Sequence, residues 1–281
     1  LGRASQVAGA AILAGLAVGL VKSTQAASDL GESVSKVNVV FGASADAILA
    51  WAEDAATAMG MSKQQALEAA GTFGNLLTSM GMAQPEAARM SKSVVQLAAD
   101  LGSFGNVPVE EALLAIRSGL TGETEPLKAF GVNLNEATLK AKALEMGLGD
   151  GKSVLDANAK AQAAYAIIVE QSTNAMGDFE RTGDGLANST KTMAAKFSDA
   201  QAALGESLLP AMTAAAQVAS DLLGGFAEIP GPLRLITIGI VAAAGAFLVV
   251  IPRIAATKLA LRDLGISAEV SGKRIGMAAG K

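Results

Sequence analysis

Two carboxylates two residues apart, Glu123 and Glu125 in "TGETEPLKAFG", have types and spacing that could do chemistry. Such a pair can act as general acid and base, or offer oxygens to a cation. A second group, Asp178, Glu180 and Arg181 in "GDFERTGDG", could form a local ion network. Neither group brings a third convergent ligand with it, and acids in a turn serve as caps or solvated groups as readily as they serve catalysis. Glu123 and Glu125 are therefore expected to be solvated or capping, with an acid/base pair or metal site as the alternative. The charges around Asp178 are expected to set a turn, because surface ion pairs contribute little.

Composition narrows the chemistry further. The 281 residues include no Cys and no His. That excludes a thiolate nucleophile, a disulfide framework, a Cys/His zinc site and the usual general base near neutral pH. No Walker loop, Ser-His-Asp set, HExxH or dinucleotide fingerprint is present. The expectation is a non-enzyme with no cofactor and no metal. Charged residues make up 17%, against about 25% in ordinary soluble domains, so the chain is unusually apolar and small-residued. The net charge of −4, without a basic block, argues against sequence-specific nucleic-acid binding.

The elements that position these residues read as an all-α fold of short helices punctuated by Gly and Pro. Ser44 opens a helical pattern that ends at Gly60. Ser62 and Gln65 stand in capping-box spacing. Pro85 and Pro108 sit where first-turn prolines belong, the latter followed by Glu110 and Glu111. Further helices are expected to start near Asn135 and Ser153. "VNVVF", at 37–41, reads as a connection between helices. Pro210 should end or kink the helical pattern of 185–226. No segment alternates with period two, so no strand is expected. Trp51 is expected to be a packing anchor, and Met59, Met61, Met80 and Met82 to be adaptable core filling.

Two 18-residue windows carry no charge, 4–21 and 235–252. As helices each would span about 27 Å, just short of a hydrocarbon core of about 30 Å. Leu235, Ile240, Phe247 and Ile251 belong to the second window, which is apolar on all faces. Gly15 with Gly19, and Gly239 with Ala243, place small residues four apart, a spacing that lets helices approach closely. Each window suits either a buried core helix or a membrane helix. The expected division is an apolar N-terminal helix at 1–27, a helical core region at 28–226, a hydrophobic, possible transmembrane helix at 227–257 and an amphipathic stretch at 258–281. Because the sequence opens on Leu1 within an apolar run, it is expected to be a fragment of a longer chain.

Three stretches in order, 40–82, 97–148 and 176–212, together resemble the core region of tail tape measure proteins from long-tailed bacteriophages, over roughly 28–212. The matching residues include Gly122, Glu123, Glu125, Pro126, Leu127, Phe130 and Gly131, then Gly177, Asp178, Phe179 and Pro210. In the first of these turns Gly122 and Pro126 fix the backbone, while Leu127 and Phe130 anchor it to the helical core. The resemblance implies a virion protein inside the tail tube or tail tip. Such a protein sets tail length during assembly, leaves ahead of the DNA and helps genome ejection across the host envelope. It implies a coaxial homo-oligomer, commonly a homotrimer. The implied partners are the tail tube protein, distal tail and tail-tip or baseplate hub proteins, tail assembly chaperones and, on ejection, the host membrane. Since a ruler needs long uninterrupted helix, this region is expected to be a folded-back part, with the ruler stretch elsewhere. The alternative is a membrane-inserting pore-forming protein of toxin type, which also hides apolar helices until release.

Overall fold

A computed structural model describes the backbone of residues 2–226 and the side chains of residues 19–214 and of Gln217. The second apolar window lies outside the described residues, and so do Gly239, Ala243, Leu235, Ile240, Phe247 and Ile251. Gly15 lies within a helical backbone, but its surroundings are also outside them. The chain divides after Leu209 into two units, 1–209 and 210–281, and only 210–226 of the second is described.

The described residues are mostly helical and contain no strand. In order the helices are α1 (Gly2–Phe41), α2 (Ala45–Ala52), α3 (Ala55–Met59), α4 (Lys63–Ser79), α5 (Gln84–Phe104), α6 (Val109–Thr121), α7 (Glu136–Glu145), α8 (Ala157–Gln171), α9 (Asp178–Arg181) and α10 (Leu186–Phe226). A 3-10 segment, Glu125–Phe130, joins α6 towards α7. Among the described residues no helix is long and apolar enough to cross a membrane.

Helix α5 is the centre of the first unit, packed by α1, α2, α3, α4, α6 and α9. Val94, Val95, Ala98 and Leu101 on it are buried, which is why its sequence is apolar on more than one face. Its start is set by Pro85 in the first turn, where a missing N–H costs nothing. Helix α4 begins with a reciprocal capping box. The Gln65 N–H donates to Ser62 Oγ at 3.2 Å, and the Ser62 N–H donates to Gln65 Oε1 at 2.9 Å. A second oxygen arrives from far along the chain, where the Lys63 N–H donates to Asp199 Oδ1 at 2.8 Å. Burial pushes the Asp199 carboxyl above its ordinary value, against the pull of that N–H.

Several expectations need correction. Residues 37–41 are not a connection but the last turn of α1. Val37 and Phe41, four apart on one helix face, are fully buried. The Phe41 ring lies where a Cβ on Gly74 of α4 would stand, so burial overrides the strand preference of a β-branched run. The pattern from Ser44 to Gly60 splits at Glu53–Asp54 into α2 and α3, and Ser44 makes no side-chain cap. Helix α8 starts at Ala157, capped by Asp156, rather than near Ser153. Of the two outcomes expected at Pro210, an end of the helix is excluded, since the residue lies inside α10, at the boundary between the two units. Two helices are not short: α1 has 40 residues, uninterrupted across 27/28, and α10 has 41. They meet closely in the first unit, where a Cβ on Gly205 would overlap the Ser23 carbonyl.

Candidate functional site

The two acid-bearing turns singled out from the sequence are both built into this core. Helix α6 ends at Thr121, and Gly122 follows with φ +102°, a left-handed value that side chains other than glycine seldom adopt. The Glu123 N–H then donates to the Ser118 carbonyl at 2.8 Å, closing the helix end. Glu123 and Glu125 are both exposed, and Lys128 Nζ pairs with Glu125 Oε1 at 2.6 Å. Pro126 opens the 3-10 segment, and Gly131, φ +76°, closes it. Leu127 is fully buried, and its side chain lies where a Cβ on Gly119 of α6 would be. Phe130 is half-buried against the core. The loop beyond is clasped by Gln171 at the end of α8. Its Oε1 accepts from the Asn133 N–H at 2.8 Å, and its Nε2 donates to the Asn133 carbonyl at 3.2 Å.

The second turn is built around a buried carboxylate that sequence reasoning missed. Asp100, on the core side of α5, is 5% exposed. Its Oδ2 accepts from the Gly177 N–H at 2.9 Å, and its Oδ1 accepts from the Phe179 N–H at 3.2 Å. Gly177, φ +70°, supplies the left-handed entry that turns both amides towards Asp100. Burial is the larger influence and raises the Asp100 carboxyl above its ordinary value; the two backbone N–H groups oppose it. Asp178 Oδ2 accepts from Ser103 Oγ at 2.6 Å, and Asp178 Oδ1 receives Arg181 Nη2 at 3.3 Å. Asn188, at the start of α10, closes the network. Its Nδ2 donates to Ser103 Oγ and to Thr182 Oγ1, each at 2.8 Å. Phe179 is buried beneath Gly60, where a Cβ would overlap its ring.

Chemically this arrangement holds chain to chain. Both Asp100 oxygens are used by backbone amides, and Asp178 by a hydroxyl and a guanidinium. Among the described residues no group of three His, Cys, Asp or Glu side chains is placed to hold a metal ion. A cleft of about 620 Å³ opens beside Phe179, between Gly60, Val109 and Ala195, and its charged lining groups are Glu110 and Lys191. Glu180 and the remaining acids of these turns lie outside it. Asp100, Asn188 and Gln171 were not legible as site residues because each acts on an amide or hydroxyl distant in sequence. The one available signal was a polar residue on the apolar face of "VVQLAADLG". Compared with family models, with curated proteins and with solved structures, the chain matches none.

Proposed function

We propose that this chain is part of a tail tape measure protein: a structural component in the lumen of a bacteriophage tail tube or at its tip, which sets tail length and leaves ahead of the DNA. The observation that carries it is the order and spacing of the three resembling stretches at 40–82, 97–148 and 176–212. What the two acid-bearing turns do in the fold supports the proposal: their carboxylates bind a hydroxyl and neighbouring cations, and the amides of the second turn are held by Asp100 of α5. That is how a scaffold uses acids. The close approach of α10 to α1 at Gly205 suits a chain confined to a narrow channel, because small residues keep helix pairs slim. The proposed assembly is a coaxial homo-oligomer, commonly of three chains, meeting the tube protein, the distal tail and hub proteins, and assembly chaperones. The host membrane is its partner on ejection.

The test is mass spectrometry of purified tailed particles from the strain that encodes the chain, before and after triggered DNA release. Peptides of this chain should be present in filled particles and depleted from emptied ones. Absence from filled particles would overturn the proposal.

A further inference from the structure

Helix α10 carries two opposed stripes, and only one is used by the first unit. Asn188, Ala195 and Ala202, seven residues apart, are buried, and Gly205 abuts α1. Two residues after three of these positions, about 200° around the helix at 3.6 residues per turn, stand Thr190, Phe197 and Leu204. With Leu186, Met193 and Ala200 they follow alternating steps of four and three, the spacing of a coiled-coil seam. All six are exposed, Leu186 at 86%, Met193 at 68%, Phe197 at 65% and Leu204 at 61%. Single exposed apolar residues need no explanation, but four large ones in seam register along a single helix do.

We infer that this seam is covered by α10 of a second copy of the chain. Charge selects that occupant. The positions flanking the seam include Ala187, Ala194, Lys196, Gln201 and Ala203, with Lys196 as their one charge. A lipid surface favours an amphipathic helix whose polar edges are rich in Lys and Arg, and these edges are not. A different helical partner is chosen by charge pairs at flanking positions, which are also lacking. Small flanks with a single charge widen the apolar face, and in a parallel pair Lys196 of one helix stands opposite the uncharged Gln201 of the other, five positions on, so like charges do not meet. The seam gives the oligomer proposed above a named face, and it stands on α10 whatever the assembly does.

The experiment uses the full 281-residue chain. Sedimentation velocity from micromolar to hundreds of micromolar should show concentration-dependent association. Phe197→Glu with Leu204→Glu should weaken it at least a hundredfold while leaving helical circular dichroism unchanged, and Val154→Glu, exposed elsewhere, should leave association as it is. Because the chain has no Cys, Ala200→Cys gives an independent readout that needs no loss of folding. Oxidation should link two copies at Ala200→Cys, and Glu206→Cys, away from the seam, should stay single. A monomer at every concentration without linkage would overturn the inference. So would association that survives the double charge substitution, or binding to phosphatidylglycerol vesicles with no linkage between copies. Absence of the chain from particles would overturn the proposed function and leave the seam standing. A monomeric chain found in particles would do the reverse.

Discussion

Asp100 reaches from the C-terminal part of α5 to amides 77 and 79 residues further along the chain, and it ties the α8–α10 half of the first unit to the α1–α6 half. Removing it leaves two N–H groups unpaired, one of them fully buried. Asn can satisfy only one of them, so Asp100→Asn is expected to cost about 1–3 kcal/mol in chemical denaturation, with Asp100→Ala at or above the upper end. The pH dependence has a definite sign. The folded state raises this carboxyl above its ordinary value of 3.8, so the native chain binds the proton more tightly than the unfolded one. Its contribution to stability is therefore full below 3.8 and is lost as pH rises through the raised value. Asp150 works the other way. The N–H groups of Ser153 and Lys152 and the Ser153 hydroxyl lower its carboxyl to about 2, so its contribution is present above 3.8 and is lost as pH falls towards 2. Melting curves between pH 3 and pH 6 check this. The wild type should lose ground to Asp100→Asn as pH rises above 3.8, and a gap that widens in the wild type's favour would refute the burial account.

At the scale of the element, glycines inside helices separate two kinds of position. Gly74 of α4 stands where the Phe41 ring packs, whereas Gly31 of α1 has open space around its Cβ position. Gly31→Ala is expected to stabilise by about 0.5–1 kcal/mol, the ordinary helix-propensity gain. Gly74→Ala should lose about 1–3 kcal/mol through overpacking, in spite of that gain. Equal effects in denaturant titrations would contradict the packing described. The same division between local and distant causes explains what the sequence revealed of the fold. The Ser62–Gln65 box, the Asn135 cap of α7, the Pro85 entry to α5 and the Gly122 exit from α6 are fixed by residues within a turn of one another, and each was legible. The Val37–Phe41 turn of α1, the Asp199 contribution to the α4 cap and the Asp100 clamp depend on partners 33 or more residues away, so no local pattern announced them. At Pro210 the sequence left two outcomes open, an end or a kink, and the helix does not end there. A proline removes one N–H and crowds one carbonyl, but the N–H groups that follow can resume the helical ladder.

For the whole molecule, the first unit buries its small-residue helix faces around α5 and leaves the seam of α10 open. An alanine- and glycine-rich chain gains little from each buried side chain, so it gains from close approach and from company. The two acid-bearing turns, whose residue types would also allow chemistry, act as fasteners within this unit, which suits a scaffold inside a particle. The most direct test of that role is photo-crosslinking in intact tails. With Val154, an exposed residue away from the α10 seam, replaced by benzoylphenylalanine, irradiation of filled particles should link the chain to the tail tube or hub subunits that surround it. Filled particles that contain no such adducts, while the same chain crosslinks to host proteins outside the particle, would contradict the account.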